Sequence, residues 1–278
     1  MSMPRRLRCS VESIEDHGGR VYTVALKPER PAPVFIPGQF LHLTVDDFDP
    51  AGFWPESRVF SIASSPAQRD RIRICYSVKG RYTQKMERTL AVGREVWIKL
   101  PYGEFVIDDS TDAVLVAGGT GISAFTAFLE ALRPDRPRAV TLVYGARTPA
   151  LLLFQDMILG QFATVARFNV LFFTETGDAG FAKRMARLPR VPACFSGRIR
   201  MDPVVRFLAS DLLPLQFDLC PPSSERAALA SPHSQEAGAF PPTSAIYLAG
   251  PPAMISALGS ALRTHAVGSE QIRIDAWE

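Results

Sequence analysis

Two glycine turns and one basic, aromatic strand are the parts of this chain best suited to hold an anionic, flat-ringed ligand. Val114-Leu115-Val116-Ala117 runs into Gly118-Gly119-Thr120-Gly121-Ile122 and then into a helical stretch that reaches Leu132. Glycines there permit a tight strand-to-helix turn and let backbone approach a ligand. The helix start behind them offers free N–H groups and partial positive charge to a pyrophosphate. The spacing is not G-x-G-x-x-G, and a plain tight turn is the competing reading. A second turn, Ala249-Gly250-Pro251-Pro252-Ala253-Met254, also leaves a strand and opens a helix. Open α/β sheets bind ligands beyond the C-terminal ends of their strands. Two such turns in one sheet therefore point to a dinucleotide crevice more than either does alone.

A third group lies earlier. Arg58-Val59-Phe60-Ser61 reads as a strand, with Arg58 and Phe60 on one face and Ser61 on the other unless the strand ends there. A guanidinium suits a phosphate and an aromatic ring suits stacking on a flat heterocycle. The competing reading of Arg58 is a solvated edge residue. Val78-Lys79-Gly80-Arg81-Tyr82-Thr83 then opens a helix, whose free N–H groups suit a second phosphate.

These groups need elements to position them. Residues 8–15, 21–27, 40–45, 58–63, 71–78 and 95–100 are short runs of β-branched or aromatic residues, mostly parted by turns rich in glycine, proline or aspartate. They predict an antiparallel barrel or sandwich, interrupted by one helix over 83–90. Near residue 110 the rhythm changes. Strands over 114–117, 140–144, 169–173, 245–248 and 272–274 alternate with helices after residue 121, from about 149, over 202–213 and over 251–265. That alternation predicts a parallel sheet covered on both faces. Segment 221–244, rich in Pro, Ser, Ala and Glu, reads as an exposed insertion, with a partner-binding flap as the functional alternative.

Composition narrows the classes. The 278 residues suffice for two domains, and 47% hydrophobic with 21% charged residues is globular. A net charge of +3 gives no reason to expect nucleic acid. The basic start carries no apolar h-region, and no apolar run reaches the roughly 18–20 residues of a membrane span, so a cytoplasmic protein without membrane insertion is expected. Cys9, Cys75, Cys194 and Cys220 are scattered with no C-x-x-C pair and read as buried thiols, with no metal site expected.

The order and spacing of these motifs, together with Pro37-Gly38-Gln39-Phe40, Pro101-Tyr102-Gly103-Glu104-Phe105 and Tyr144-Gly145-Ala146-Arg147, resemble those of the ferredoxin–NADP reductase-like flavoprotein family, from about residue 7 to the end. The resemblance implies a Greek-key barrel for FAD over residues 1–108 and a Rossmann-like α/β domain for NAD(P) over residues 109–278. It implies that Arg58 binds the FAD pyrophosphate, Phe60 packs on the isoalloxazine and the Ser61 hydroxyl bonds flavin N5. Gly80 and Thr83 would hold pyrophosphate, with Tyr76, Val78, Lys79 and Tyr82 completing the flavin set. Gly119, Thr120, Gly121, Arg147, Glu175, Gly250, Pro251 and Met254 would hold the nicotinamide dinucleotide.

The implied reaction is hydride transfer from NAD(P)H to FAD. With neither an iron–sulfur domain nor a globin in this chain, electrons are expected to leave to a separate ferredoxin or oxygenase component. NADH is the expected donor, because Glu175 would repel a 2′-phosphate; Arg147, Lys183 and Arg184 keep NADPH in play. The family pattern places Trp277 over the flavin face as a catalytic gate, with strand packing as the other reading. Phe60, Ala124 and Ala249 stand where the family usually has Tyr, Pro and often Cys. Ala249 leaves open a different class, a flavin-binding regulatory or electron-transfer subunit with little turnover.

Overall fold

The computed structural model describes residues 3–108, 110–177, 179–209, 244–265 and 267–275. Cys220, Trp277 and the expected insertion up to residue 243 lie outside the described residues. Ser244, placed at the insertion's end, is buried, and its carbonyl accepts from Gln271 Nε2 at 3.2 Å.

Six antiparallel strands form the first sheet: β1 (Arg5–Asp16), β2 (Val21–Pro28), β3 (Phe40–Thr44), β4 (Arg58–Ser61), β5 (Ile72–Ser77) and β6 (Glu95–Tyr102). Alternation turns Leu7, Cys9 and Val11 of β1 inward against Val96, Ile98 and Leu100 of β6. The order β4-β3-β6-β1-β2-β5 is not sequential, because β6 returns between β3 and β1 as in a Greek key. The sheet nearly closes where β5 meets the residues following β4. There Ala63 N donates to Arg73 O at 2.8 Å, and Arg73 Nε and Nη2 donate to Ala63 O at 2.9 and 2.7 Å. Helix α1 (Arg81–Thr89) follows β5 and buries Tyr82 and Met86 in the barrel core.

The second sheet is wholly parallel. Its strands are β7 (Ala113–Gly118), β8 (Val140–Ala146), β9 (Phe168–Thr174), β10 (Ala193–Ser196), β11 (Ala245–Ala249) and β12 (Ile272–Asp275), in the order β10-β9-β8-β7-β11-β12. Every residue of β7 is buried, as both-face coverage requires. Helices α2 (Ser123–Glu130), α3 (Gln155–Thr164) and α4 (Ala179–Ala186) pack on one face, and α5 (Met201–Ala209) and α6 (Pro252–Thr264) on the other. Strand order reverses between β7 and β11. This is the switch point at which open α/β sheets form their ligand crevice.

The expected elements appear, with two omissions and two shifts. Helix α4 and strand β10, both short, were not expected. The helix expected from Pro149 starts later, at Gln155. A 3-10 turn, Pro149–Leu151, comes first, held by the buried Tyr144 hydroxyl, which accepts from Leu153 N at 2.9 Å. Helix α5 begins at Met201, one residue before the expected start at 202, which places Asp202 in its first turn. The two sheets share one core: Val21, Ala63 and Cys75 of the barrel pack with Ala117, Ile122 and Tyr144 of the α/β half. No described helix is long and apolar enough to cross a membrane.

Candidate functional site

A cleft of about 1160 Å³ lies on the seam between the sheets. All of the expected cofactor-binding residues line it: Arg58, Phe60, Ser61, Tyr76, Val78, Lys79, Gly80, Tyr82 and Thr83 from the barrel, and Gly119, Thr120, Gly121, Arg147, Glu175, Gly250, Pro251 and Met254 from the α/β half. Trp277 is outside the described residues. A smaller hollow of about 700 Å³ lies on the opposite barrel wall among Arg6, Arg8, Phe48 and Trp97. It carries charges of both signs and none of the motif residues.

The barrel wall of the cleft is aromatic and basic. Phe60 is half-buried and meets Tyr76 edge-on, with centroids 6.3 Å apart, and Tyr76 stacks on Tyr22 at 5.3 Å. Burial pushes the Tyr76 hydroxyl well above the usual phenol range, so it stays protonated. The Arg58 guanidinium lies 4.9 Å over the Tyr82 ring, donates to Ser57 O at 2.8 Å and reaches Glu56 Oε1 at 3.2 Å. Thr83 Oγ1 accepts from Lys79 N at 2.9 Å and Gly80 N at 3.1 Å, and donates to Gly80 O at 3.1 Å. In this arrangement its hydroxyl shapes the turn. The N–H groups of the first helical turn remain for a ligand.

The α/β wall works by the absence of side chains. A Cβ on Gly121 would lie 2.3 Å from Ala249 O, and one on Gly118 would lie 2.4 Å from Met254 Sδ. The two glycine turns are thus pressed against each other. Gly119 has φ +54°, which favours glycine, and a Cβ there would meet nothing within 4 Å, so its free side opens to ligand. Glu175, just past β9, pairs with Arg198 Nε at 3.3 Å. Arg147 reaches across the seam: a Cβ on Gly19 would lie 3.2 Å from its Nη2.

The structure adds lining residues that the motifs did not reveal. Arg20 and Arg198 bring guanidinium groups beside that of Arg81 from the helix-opening motif, and Arg20 is held by Glu87, with Nε 3.0 Å from Oε1. Buried Asp275 accepts from Ser61 Oγ at 3.3 Å, across 214 residues of sequence. Glycines at 18 and 19 announced a turn before Arg20, but nothing local announced its approach to the cleft. In all, Arg20, Arg58, Lys79, Arg81, Arg147 and Arg198 face Glu175 and Asp275, an excess of cations that suits an anionic ligand. Cys75 also borders the cleft; burial raises its thiol to about 12, which makes it a poor nucleophile. Among the described residues no cluster of three or more His, Cys, Asp or Glu is placed to hold a metal ion.

A nearly closed antiparallel barrel joined to a switch-point parallel sheet, with one basic cleft on the seam, defines a class of two-sheet dinucleotide-type folds. The solved structure of the Amycolatopsis cytochrome P450 reductase GcoB has this fold, with a TM-score of 0.70 at 20% identity over 98% of this chain and 69% of that one. The reductase component of propane 2-monooxygenase from Mycolicibacterium smegmatis (strain ATCC 700084 / mc(2)155) is 28% identical over 159 residues, 55% of this chain and 44% of that protein. The phenol 2-monooxygenase reductase component DmpP of Pseudomonas sp. (strain CF600) is 30% identical over 156 residues, 53% of this chain and 42% of that protein. No family model matches the chain. The matched stretch spans less than half the length of these two curated relatives. The chain is thus similar to these reductases in fold and, over about half its length, in sequence.

Proposed function

We propose that this protein is an FAD-dependent reductase that takes hydride from NADH and passes electrons to a separate acceptor, such as a ferredoxin or an oxygenase component. The observation that carries the reading is the single cleft that joins an aromatic, basic wall and a glycine wall, with the Ser61–Asp275 pair lining it. The donor set fits FAD: Arg58, Lys79 and a helix start for its phosphates, and half-exposed Phe60 beside Tyr76 for a flat ring. When bound, FAD supplies the ring that accepts hydride and releases electrons.

This chain's own residues bind, orient and exclude water. Arg58, Lys79 and the first turn of α1 hold phosphate, while Val78, Gly80, Tyr82 and Thr83 shape that loop. Phe60 keeps the stacking surface that the family's Tyr would give, without its hydroxyl. Gly119, Thr120 and Gly121, with Gly250, Pro251 and Met254, seat the dinucleotide at the switch point. Ser61 donates to Asp275 as placed, and its hydroxyl would turn from that carboxylate to donate to flavin N5, the atom that receives hydride. Glu175 selects NADH by repelling a 2′-phosphate and accepting from a free 2′-hydroxyl. A role for Trp277 as a gate rests on sequence alone.

The proposal includes a division into a flavin unit over residues 1–108 and a nicotinamide unit over 109–278, and a cytoplasmic location. The second reading, a flavin-binding subunit with little turnover, is favoured by Ala249, which is fully buried at the end of β11. Purified protein should be yellow, release FAD rather than FMN on denaturation, and reduce ferricyanide with NADH. Release of FMN would overturn the cofactor assignment, and bound FAD without NADH-dependent reduction would favour the second reading.

A further inference from the structure

Arg73 stands on β5, outside the set of ligand-facing residues, yet its guanidinium touches three elements. It donates twice to Ala63 O, two residues past Ser61. It pairs with Glu130 at the C-terminal end of α2 and lies 4.8 Å over the ring of Phe154, which caps α3. Its backbone N–H also donates to Ser64 Oγ at 3.1 Å. The Arg73 and Glu130 side chains are only about a quarter exposed, at 27% and 21%. The contact is therefore screened less than a surface pair.

Both partners on the α/β side lead back to the nucleotide turn. Helix α2 starts where Gly119–Ile122 ends. Phe154 holds a left-handed backbone, φ 57°, which is uncommon for a side chain of that bulk. The adjoining turn is fastened by Tyr144, whose hydroxyl accepts from Leu153 N at 2.9 Å and lies 3.3 Å from both Gly119 O and Leu151 O. A continuous set of contacts thus runs from Gly119 through Tyr144, Leu153 and Phe154 to Arg73, and from Arg73 to Ala63 beside Ser61.

We propose that Arg73, with Glu130 and Phe154, is a cross-seam clamp that sets the distance between the glycine turn and Ser61, and so positions the nicotinamide for transfer. The inference rests on the reductase reading above. Reactions between two bound partners are steep in geometry, so a small opening of the seam costs rate rather than affinity. Arg73 is a positioning residue: it touches neither ligand wall directly, and it acts through β4 and α2.

The test uses the full chain loaded with FAD, comparing Arg73→Lys and Glu130→Gln with the parent. Lysine keeps the charge for Glu130 but loses the two-donor grip on Ala63 and the flat stack on Phe154. Glutamine keeps a hydrogen bond and loses the ion pair. Three quantities are read: stopped-flow flavin reduction at saturating NADH, the long-wavelength nicotinamide–flavin charge-transfer absorbance, and ADP-ribose affinity by calorimetry. For Arg73→Lys the expected result is reduction slowed about tenfold or more, a weakened charge-transfer band, and ADP-ribose affinity and FAD content unchanged. Glu130→Gln should change the first two in the same direction by less. A lower melting temperature with the reduction rate and band unchanged means that Arg73 is packing alone, and overturns the clamp. Loss of ADP-ribose binding in the variants also overturns it, because the defect then lies in the nucleotide site. A parent protein that neither holds FAD nor is reduced by NADH overturns the reductase reading, and this inference with it.

Discussion

The two walls of the cleft hold ligand by opposite means. The barrel wall presents side chains: Arg58 over Tyr82, Phe60 against Tyr76, and Lys79 at the start of α1. The α/β wall presents backbone, where Gly118, Gly121 and Gly250 let two turns interlock and Gly119 leaves space. A barrel sheet has outward side chains to spare, because only its inner face fills the core. A parallel sheet buried on both faces has only its strand ends free, and there the N–H groups of the turns do the binding. The walls should therefore fail differently: the first when atoms are removed, the second when atoms are added.

Gly121→Ala is the most severe test of that contrast. The added methyl would meet Ala249 O, a backbone atom that cannot rotate away. The expected cost is about 1–3 kcal/mol of stability, together with at least a tenfold loss of ADP-ribose affinity. FAD binding should be retained. Thermal unfolding and calorimetry measure both, and a variant with parental nucleotide affinity would break the account of the glycine wall.

Arg58→Ala tests the other side. A charge-assisted bond to phosphate is worth about 1.5–3 kcal/mol, so FAD affinity should fall roughly 10- to 150-fold. Arg58 is exposed and its partner Glu56 is a surface carboxylate, so the melting temperature of the flavin-free protein should barely move. Equal losses of FAD and ADP-ribose binding would mean that the walls are not separate.

Glu175→Gln probes the one place where the α/β wall does use side chains. Arg198 now pairs with Glu175 and would be released toward a 2′-phosphate. The affinity for 2′,5′-ADP should rise about threefold to tenfold, with that for 5′-ADP little changed. No gain for 2′,5′-ADP would remove Glu175 from the selection of NADH.

The smallest effect lies away from both walls. Burial first, and then the charge of Lys99, hold His42 below its ordinary value near 6.5. The folded state prefers the neutral ring, so this contribution is complete above pH 6.5 and is lost as pH falls through the lower folded value. His42→Gln should make the melting temperature less sensitive to acid by about 1–3 °C, with FAD affinity unchanged. An unaltered pH profile would show that the ring is not held neutral by folding.

Much of the fold was legible because it is written in local periodicity. Short runs of β-branched and aromatic residues parted by turns marked the barrel strands, and fully apolar runs such as Val114 to Ala117 marked strands buried on both faces. The glycine turns were legible because few other residues permit that backbone. Helix α4 and β10 were missed because their patterns are short and half-exposed. Arg20 and Arg198 were missed because an arginine in a turn looks solvated until a second element is brought beside it.

The sequence by itself determined the two kinds of sheet, their order along the chain, and the residue types able to meet phosphate and a flat ring. Those depend on contacts within a few residues. Only the tertiary structure decided which of them share a cleft, that Ser61 faces Asp275, and that Arg73 ties Ala63 to Glu130 and Phe154. These partners lie 10, 57, 81 and 214 residues apart in sequence, by the numbering of the pairs 63–73, 73–130, 73–154 and 61–275. Such meetings are fixed by how strands pair and sheets pack, which no local period in the sequence records.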